Sequence, residues 1–171
     1  MTLVDNNVCS SLAKIDRLEL LPTVFESVAT TPAVVEEFHR DEVSGYAFVD
    51  RIDEVEAHAG GWLDTITPTE TERTRTDEIL DRSLSRVDAQ LIAIAEVRDE
   101  RLLTDDGHVH TIASHRGVEI VDLVVLLRAA CERDAITSAE ELRTVLADLR
   151  REDHYEFATD DEQYLFEAFE E

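Results

Sequence analysis

Short apolar runs alternate with longer amphipathic stretches from end to end of the chain. Leu3 and Val4 predict a buried strand, closed by the turn-prone Asp5-Asn6-Asn7. Val8 to Arg17 then reads as a helix with Leu12 and Ile15 inward. Leu18 to Glu26 reads as a second short helix, and Val28 with Ala29 as another brief strand. Thr31-Pro32 is an N-cap followed by proline at the first helical position, a strong helix start. The helix it opens carries Val34, Val35, Glu37 and Phe38. Gly45 interrupts, Tyr46 to His58 is helical again, and Gly60-Gly61 ends it. Trp62 to Thr67 predicts a third strand, stopped by Pro68.

Thr69 to Arg82 is polar and reads as a helix or a partly mobile arm. Ser85 begins a helix whose Ala89, Leu91, Ile92, Ala93, Ile94 and Ala95 are apolar on nearly all sides, which predicts burial. Arg101 to Thr104 is a fourth strand, His108 to His115 a helix, and Val118 to Val121 a fifth strand. Leu123 to Arg133, Ser138 to Arg151 and Asp160 to Phe169 close the chain as helices. Strands alternating with helices predict an α/β fold with a parallel sheet covered on both faces. Residues 1–171 form one domain in this reading, with 152–171 an acidic helical tail packed on it. There is no internal repeat and no dividing linker.

Charge changes the picture of the surface more than of the fold. The formal net charge is -24, from 16 Lys+Arg against 40 Asp+Glu, and Lys14 is the single lysine. The acids lie on the polar faces of otherwise ordinary helices. That pattern fits a solvated shell adapted to a very salty cytoplasm better than nucleic-acid mimicry. At ~1 M salt the Debye length is about 3 Å, so self-repulsion is screened. Cys9 and Cys131 form no C-x-x-C and read as core thiols. No basic segment precedes Asp5 and no apolar run approaches ~20 residues. These features predict a cytoplasmic protein with neither signal peptide nor membrane span.

Four acids stand out by position: Asp5 in TLVDNNV, Glu37 in PAVVEEF, Asp88 in SRVDAQLIAIA and Asp106 in RLLTDDG. Each falls where a strand or buried helix meets a loop. A parallel sheet gathers its strand carboxyl ends on one edge. Acids brought together there repel unless a divalent cation neutralises them. Each also has a plain structural role open to it. Asp5 can form an Asx turn, Ser85-x-x-Asp88 fits a capping box, Asp105 or Asp106 can cap the next helix, and Glu37 can lie on a solvated face.

The same segments resemble the PIN-domain family, in a VapC-like ribonuclease version of halophilic archaeal type. TLVDNNVCSSLAKIDRLELL is similar to the family's opening strand, acid and apolar helix. TPAVVEEF resembles its proline-initiated helix with a glutamate, SRVDAQLIAIA its Asp-Ala-x-x-Ile-Ala helix, and RLLTDDG its strand ending Thr-x-Asp. VEIVDLVVLLRAACERDAITSAEELRTVLADLR and FATDDEQYLFEAFEE resemble the leucine-rich and final helices of one branch. Asn6-Asn7 departs from the serine or threonine usual after the first acid, and Val121-Asp122 from the usual Gly-Thr.

The resemblance implies a five-stranded sheet of order 3-2-1-4-5 and a Mg²⁺- or Mn²⁺-dependent ribonuclease. Catalysis would fall to Asp5, Glu37, Asp88 and Asp106. Asp5, Asp88 and Asp106 would be the metal ligands, with Asp105 as the alternate to Asp106 and Glu36 competing with Glu37. Consecutive helix residues point about 100° apart, so Glu36 and Glu37 cannot both face one site. Asn6 and Thr104 are weaker candidates for substrate contact. The implied partners are RNA, a small antitoxin and a second copy of the chain; no membrane is implied. Hard oxygen ligands suit Mg²⁺ or Mn²⁺, and no Cys/His cluster points to zinc. The main rival is a non-catalytic binding or scaffold module of the same fold, motivated by the two departures. A phosphoacceptor receiver domain fits poorly, since it needs a lysine on a late strand.

Overall fold

A computed structural model describes residues 1–40 and 46–170. Its sheet has five parallel strands: β1 (Thr2–Val4), β2 (Val28–Thr30), β3 (Leu63–Thr65), β4 (Arg101–Leu103) and β5 (Ile120–Val121). Their spatial order is β3-β2-β1-β4-β5, with β1 at the centre, as expected. Thr2 pairs with both Val28 and Arg101, so β1 carries ladders on both sides. The strands are short because each needs only to cross the core. Leu3, Val4, Ala29, Leu102 and Leu103 are fully enclosed.

Helices α1 (Asn6–Lys14), α2 (Leu20–Val24), α3 (Pro32–Phe38) and α4 (Ala47–Val55) belong to the first half of the chain. α5 (Glu70–Ile79), α6 (Arg86–Arg98), α7 (Gly107–His115), α8 (Leu123–Glu132), α9 (Ala139–Asp153) and α10 (Thr159–Phe166) complete the described set. The first helix begins at Asn6, two residues before the predicted start, because Asp5 itself is the cap: its side chain accepts from the Val8 amide. The predicted Tyr46–His58 helix stops at Val55. Glu56 leaves it to form a parallel bridge with Leu63. Gly60 then turns the chain at φ 87, and a Cβ at Gly61 would stand 2.0 Å from the Val55 carbonyl oxygen. The break expected at Gly45 lies outside the described residues.

α6 is buried as predicted: Leu91, Ile92, Ala93 and Ile94 are at most 1% exposed. The polar segment before it is a helix, not an arm. Thr69 and Glu72 form a reciprocal capping box at the start of α5. Glu72 is 1% exposed and takes Arg98 Nε at 2.5 Å on Oε1 and Arg98 Nη2 at 3.1 Å on Oε2. Those bonds hold its carboxyl below the usual carboxylate range. Arg75 pairs with Glu78 and Glu96, and Arg86 with Asp77, so these arginines are spent within the α5–α6 hairpin. At the other end, α10 packs on α8 through buried Leu165, and the Arg128 guanidinium lies 4.8 Å from the Tyr164 ring centroid. Cys9 and Cys131 are both buried; burial pushes the Cys9 thiol up to about 12. Among the described residues, no helix is long and apolar enough to cross a membrane.

Glu72→Ala removes the carboxylate half of the α5 capping box, where the Thr69 amide donates to Glu72, and the paired bonds to Arg98. A loss of about 2 kcal/mol is expected from a charge-assisted pair of hydrogen bonds and one capping-box bond. Urea unfolding of the variant beside wild type measures it.

Candidate active site

The strand order places the residues following β1 and β4 side by side at the carboxyl edge of the sheet. Asp5 follows β1 directly and is 4% exposed. Its amide donates to the Leu103 carbonyl at 3.2 Å, which stitches it to the end of β4. Its Oδ1 accepts from the Val8 amide at 2.9 Å and its Oδ2 from the Thr104 hydroxyl at 2.6 Å. Both donors are uncharged, and desolvation outweighs them. Burial, with the charges of Asp105 and Asp88 adding to it, pushes the Asp5 carboxyl up to about 7.

Asp88 stands in the first turn of α6, after the Ser85 cap, and its Oδ2 accepts from the Ser85 hydroxyl at 2.9 Å. Its carboxyl is also raised, first by burial and then by the charges of Asp106 and Glu37. Asp88 thus shares its field with Asp5, Asp106 and Glu37 alike. Glu37 Oε2 accepts from Asn6 Nδ2 at 2.7 Å, while neighbouring Glu36 is exposed. Asp5, Asn6, Asn7, Glu37, Ser85, Val87 and Asp88 line one cleft of about 170 Å³.

The turn after β4 separates its two acids. Asp106 caps α7, its Oδ1 accepting from the His108 and Val109 amides. Asp105 reaches the other way, accepting from the Leu123 amide at 2.9 Å, with Tyr155 nearby. Burial raises its carboxyl, with Asp122 and Asp153 adding to the effect. Asp105 is therefore engaged at the start of α8, whereas Asp106 lies in the field of Asp88. Thr104 differs from its expected role. It is 1% exposed, and its hydroxyl donates to Asp5 and accepts from the Asp106 amide at 3.2 Å. From this buried position it fixes two acids relative to each other.

A family model described as PIN domain matches residues 1–162. The chain belongs to the PIN-domain family. PIN domains are typically nucleases, and PIN nucleases usually use divalent metals. No curated protein matches the chain. In this PIN domain the two departures from the family pattern have local explanations. Asn6 holds Glu37 and accepts from the Ser10 hydroxyl. Asp122 caps α8 by accepting from the Val125 amide at 2.8 Å.

The cleft's donors suit a hard divalent cation. They are carboxylate, amide and hydroxyl oxygens, and the raised carboxyls of Asp5 and Asp88 mark a place where negative charge is under-compensated. A second grouping, His39, Asp53 and Glu56, brings its ligand atoms within 4.8 Å of one another and includes none of the four acids. His39 and Asp53 already form a 3.1 Å pair there. Sequence reasoning did not single out Ser85 or Val87 as parts of the cleft. The capping pattern Ser85-x-x-Asp88 was the available signal for Ser85.

Between its ordinary 3.8 and about 7, Asp5 is protonated in the folded chain and ionised in the unfolded one. The folded state then binds the extra proton, so in EDTA this contribution to stability falls as pH rises through that window. Urea midpoints of wild type relative to Asp5→Asn should decline from about pH 4 to about pH 7. Mn²⁺ should restore the difference above that range. A constant offset between the two proteins across the window would contradict the assigned burial.

Proposed function

We propose that this PIN domain is a divalent-metal-dependent endoribonuclease that cleaves RNA phosphodiesters. The observation that carries the reading is the buried, under-compensated carboxylate of Asp5 at the end of the central strand, sharing its field with Asp88. Asp5, Asp88 and Asp106 would hold Mg²⁺ or Mn²⁺ through carboxylate oxygens. Such an ion neutralises phosphate charge and makes water a better nucleophile at neutral pH.

The remaining roles belong to the chain's own groups. Glu37 orients the attacking water through the oxygen not bonded to Asn6. Asn6 fixes that carboxylate and keeps one amide hydrogen for a phosphate oxygen. Thr104 and Ser85 are positioning residues, acting through Asp5 and Asp88. The excess of 40 acids over 16 cations opposes phosphate binding at low salt. Activity therefore belongs in molar KCl, in keeping with the high-salt reading of the surface. Membership of a family that often includes toxins supports a further step: a cytoplasmic homodimeric toxin restrained by a small antitoxin.

The rival is a non-catalytic scaffold of the same fold. Its motivation weakens where Asn6 and Asp122 each make a specific bond in their unusual positions.

Total RNA incubated with the protein in molar KCl and Mn²⁺ should be cleaved. Asp5→Asn should reduce cleavage to background while leaving the far-UV spectrum unchanged. Thr104→Val should retain part of it, at a cost of about 10- to 100-fold, as expected for a group that orients a ligand. Equal cleavage by wild type and Asp5→Asn overturns the assignment; a folded wild type with no cleavage favours the scaffold.

A further inference from the structure

A second cleft opens beside the acidic edge, and its chemistry is different. About 530 Å³ in volume, it is lined by Arg150, His154, Tyr155, Glu156 and Phe157, in and after the last turn of α9. The Tyr155 and Phe157 ring centroids are 4.5 Å apart at 45°, and the Arg150 guanidinium lies 5.4 Å from the Phe157 centroid. Both rings are only partly buried. His154 sits in the left-handed region at φ 54, which ends α9 and turns the following residues aside. The cleft approaches the carboxyl edge of the sheet at Tyr155, which lies near the Asp105 carboxyl; Asp105 adjoins Thr104 and adds its charge to Asp5.

We propose that this cleft is a stacking subsite for a base of single-stranded RNA next to the scissile phosphate. This rests on the nuclease reading above. Two aromatic rings and a guanidinium plane are the groups on which unpaired bases stack. Arg150 is already paired with Glu162, and Glu156 adds negative charge, so the cleft attracts no phosphate. Its grip on RNA comes from base faces. That resolves how a chain of net charge -24 holds a polyanion: it uses a contact that salt does not screen. Stacking also makes the subsite tolerant of sequence, because every base has a π-face.

The test uses a short single-stranded RNA with 2-aminopurine placed at each position in turn, and the Asp5→Asn protein in EDTA so that nothing is cut. One position should be quenched on binding, with affinity that holds or rises between about 0.2 and 2 M KCl as the acidic repulsion is screened, against the steep loss that phosphate-driven binding shows. Phe157→Leu in the same background should abolish the quench and weaken binding about tenfold. An abasic nucleotide at the quenched position should have the same effect on the unaltered cleft, which covers the case of a Phe157 variant that misfolds. Quenching without cleavage by wild type in Mn²⁺ would leave the subsite standing and remove the nuclease. Cleavage with no quench at any position, binding lost at high salt, no binding of the RNA at all, or indifference to the abasic nucleotide each overturns the subsite.

Discussion

Burying the carboxylate of Asp5 is the constraint around which the rest of the molecule is arranged. One side chain caps α1, ties the end of β1 to the end of β4 through Thr104, and sits in the field of Asp88 and Asp105. A carboxylate so enclosed is costly unless its charge is balanced, and its two hydrogen-bond donors are neutral. The fold maintains that cost at the centre of its sheet, with Thr104 and Ser85 committed to orienting acids. Carboxyls raised by burial and held in place by strands suit a ligand of opposite sign.

The sheet was legible because its strands are short apolar runs between strong stops, and because Thr31-Pro32 and Ser85 are helix starts with a clear mechanism. Boundaries shifted where side chains and bridges intervened: Asp5 began α1 early, and Glu56 left α4 to pair with Leu63. The α5 segment was ambiguous because its one buried acid, Glu72, looks like any other glutamate until Arg98 is brought against it from α6. That pairing spans 26 residues and has no local signal.

At the edge of the sheet, sequence position marks out a few acids but not what each one does. Glu36 and Glu37 separate only when helix phase turns one toward Asn6 and the other to solvent. Asp105 and Asp106 separate because the turn after β4 sends one to Leu123 and the other to the start of α7. Thr104 was read as a substrate contact from its place in the motif, yet the same place buries it between two acids. Composition was a poor guide throughout. Against 40 acids, what distinguishes Asp5 is its desolvation, and much of the remaining charge is exposed or set against arginine, as in the Arg116–Glu96 and Arg75–Glu96 pairs.

A divalent cation held by the Asp5 cluster is read out by Mn²⁺ titration followed by electron paramagnetic resonance in molar KCl. Wild type should deplete the free-ion signal saturably, and Asp5→Asn of unchanged fold should not deplete it beyond surface background. Identical Mn²⁺ uptake by the two proteins, or none by either, would contradict a cation site there.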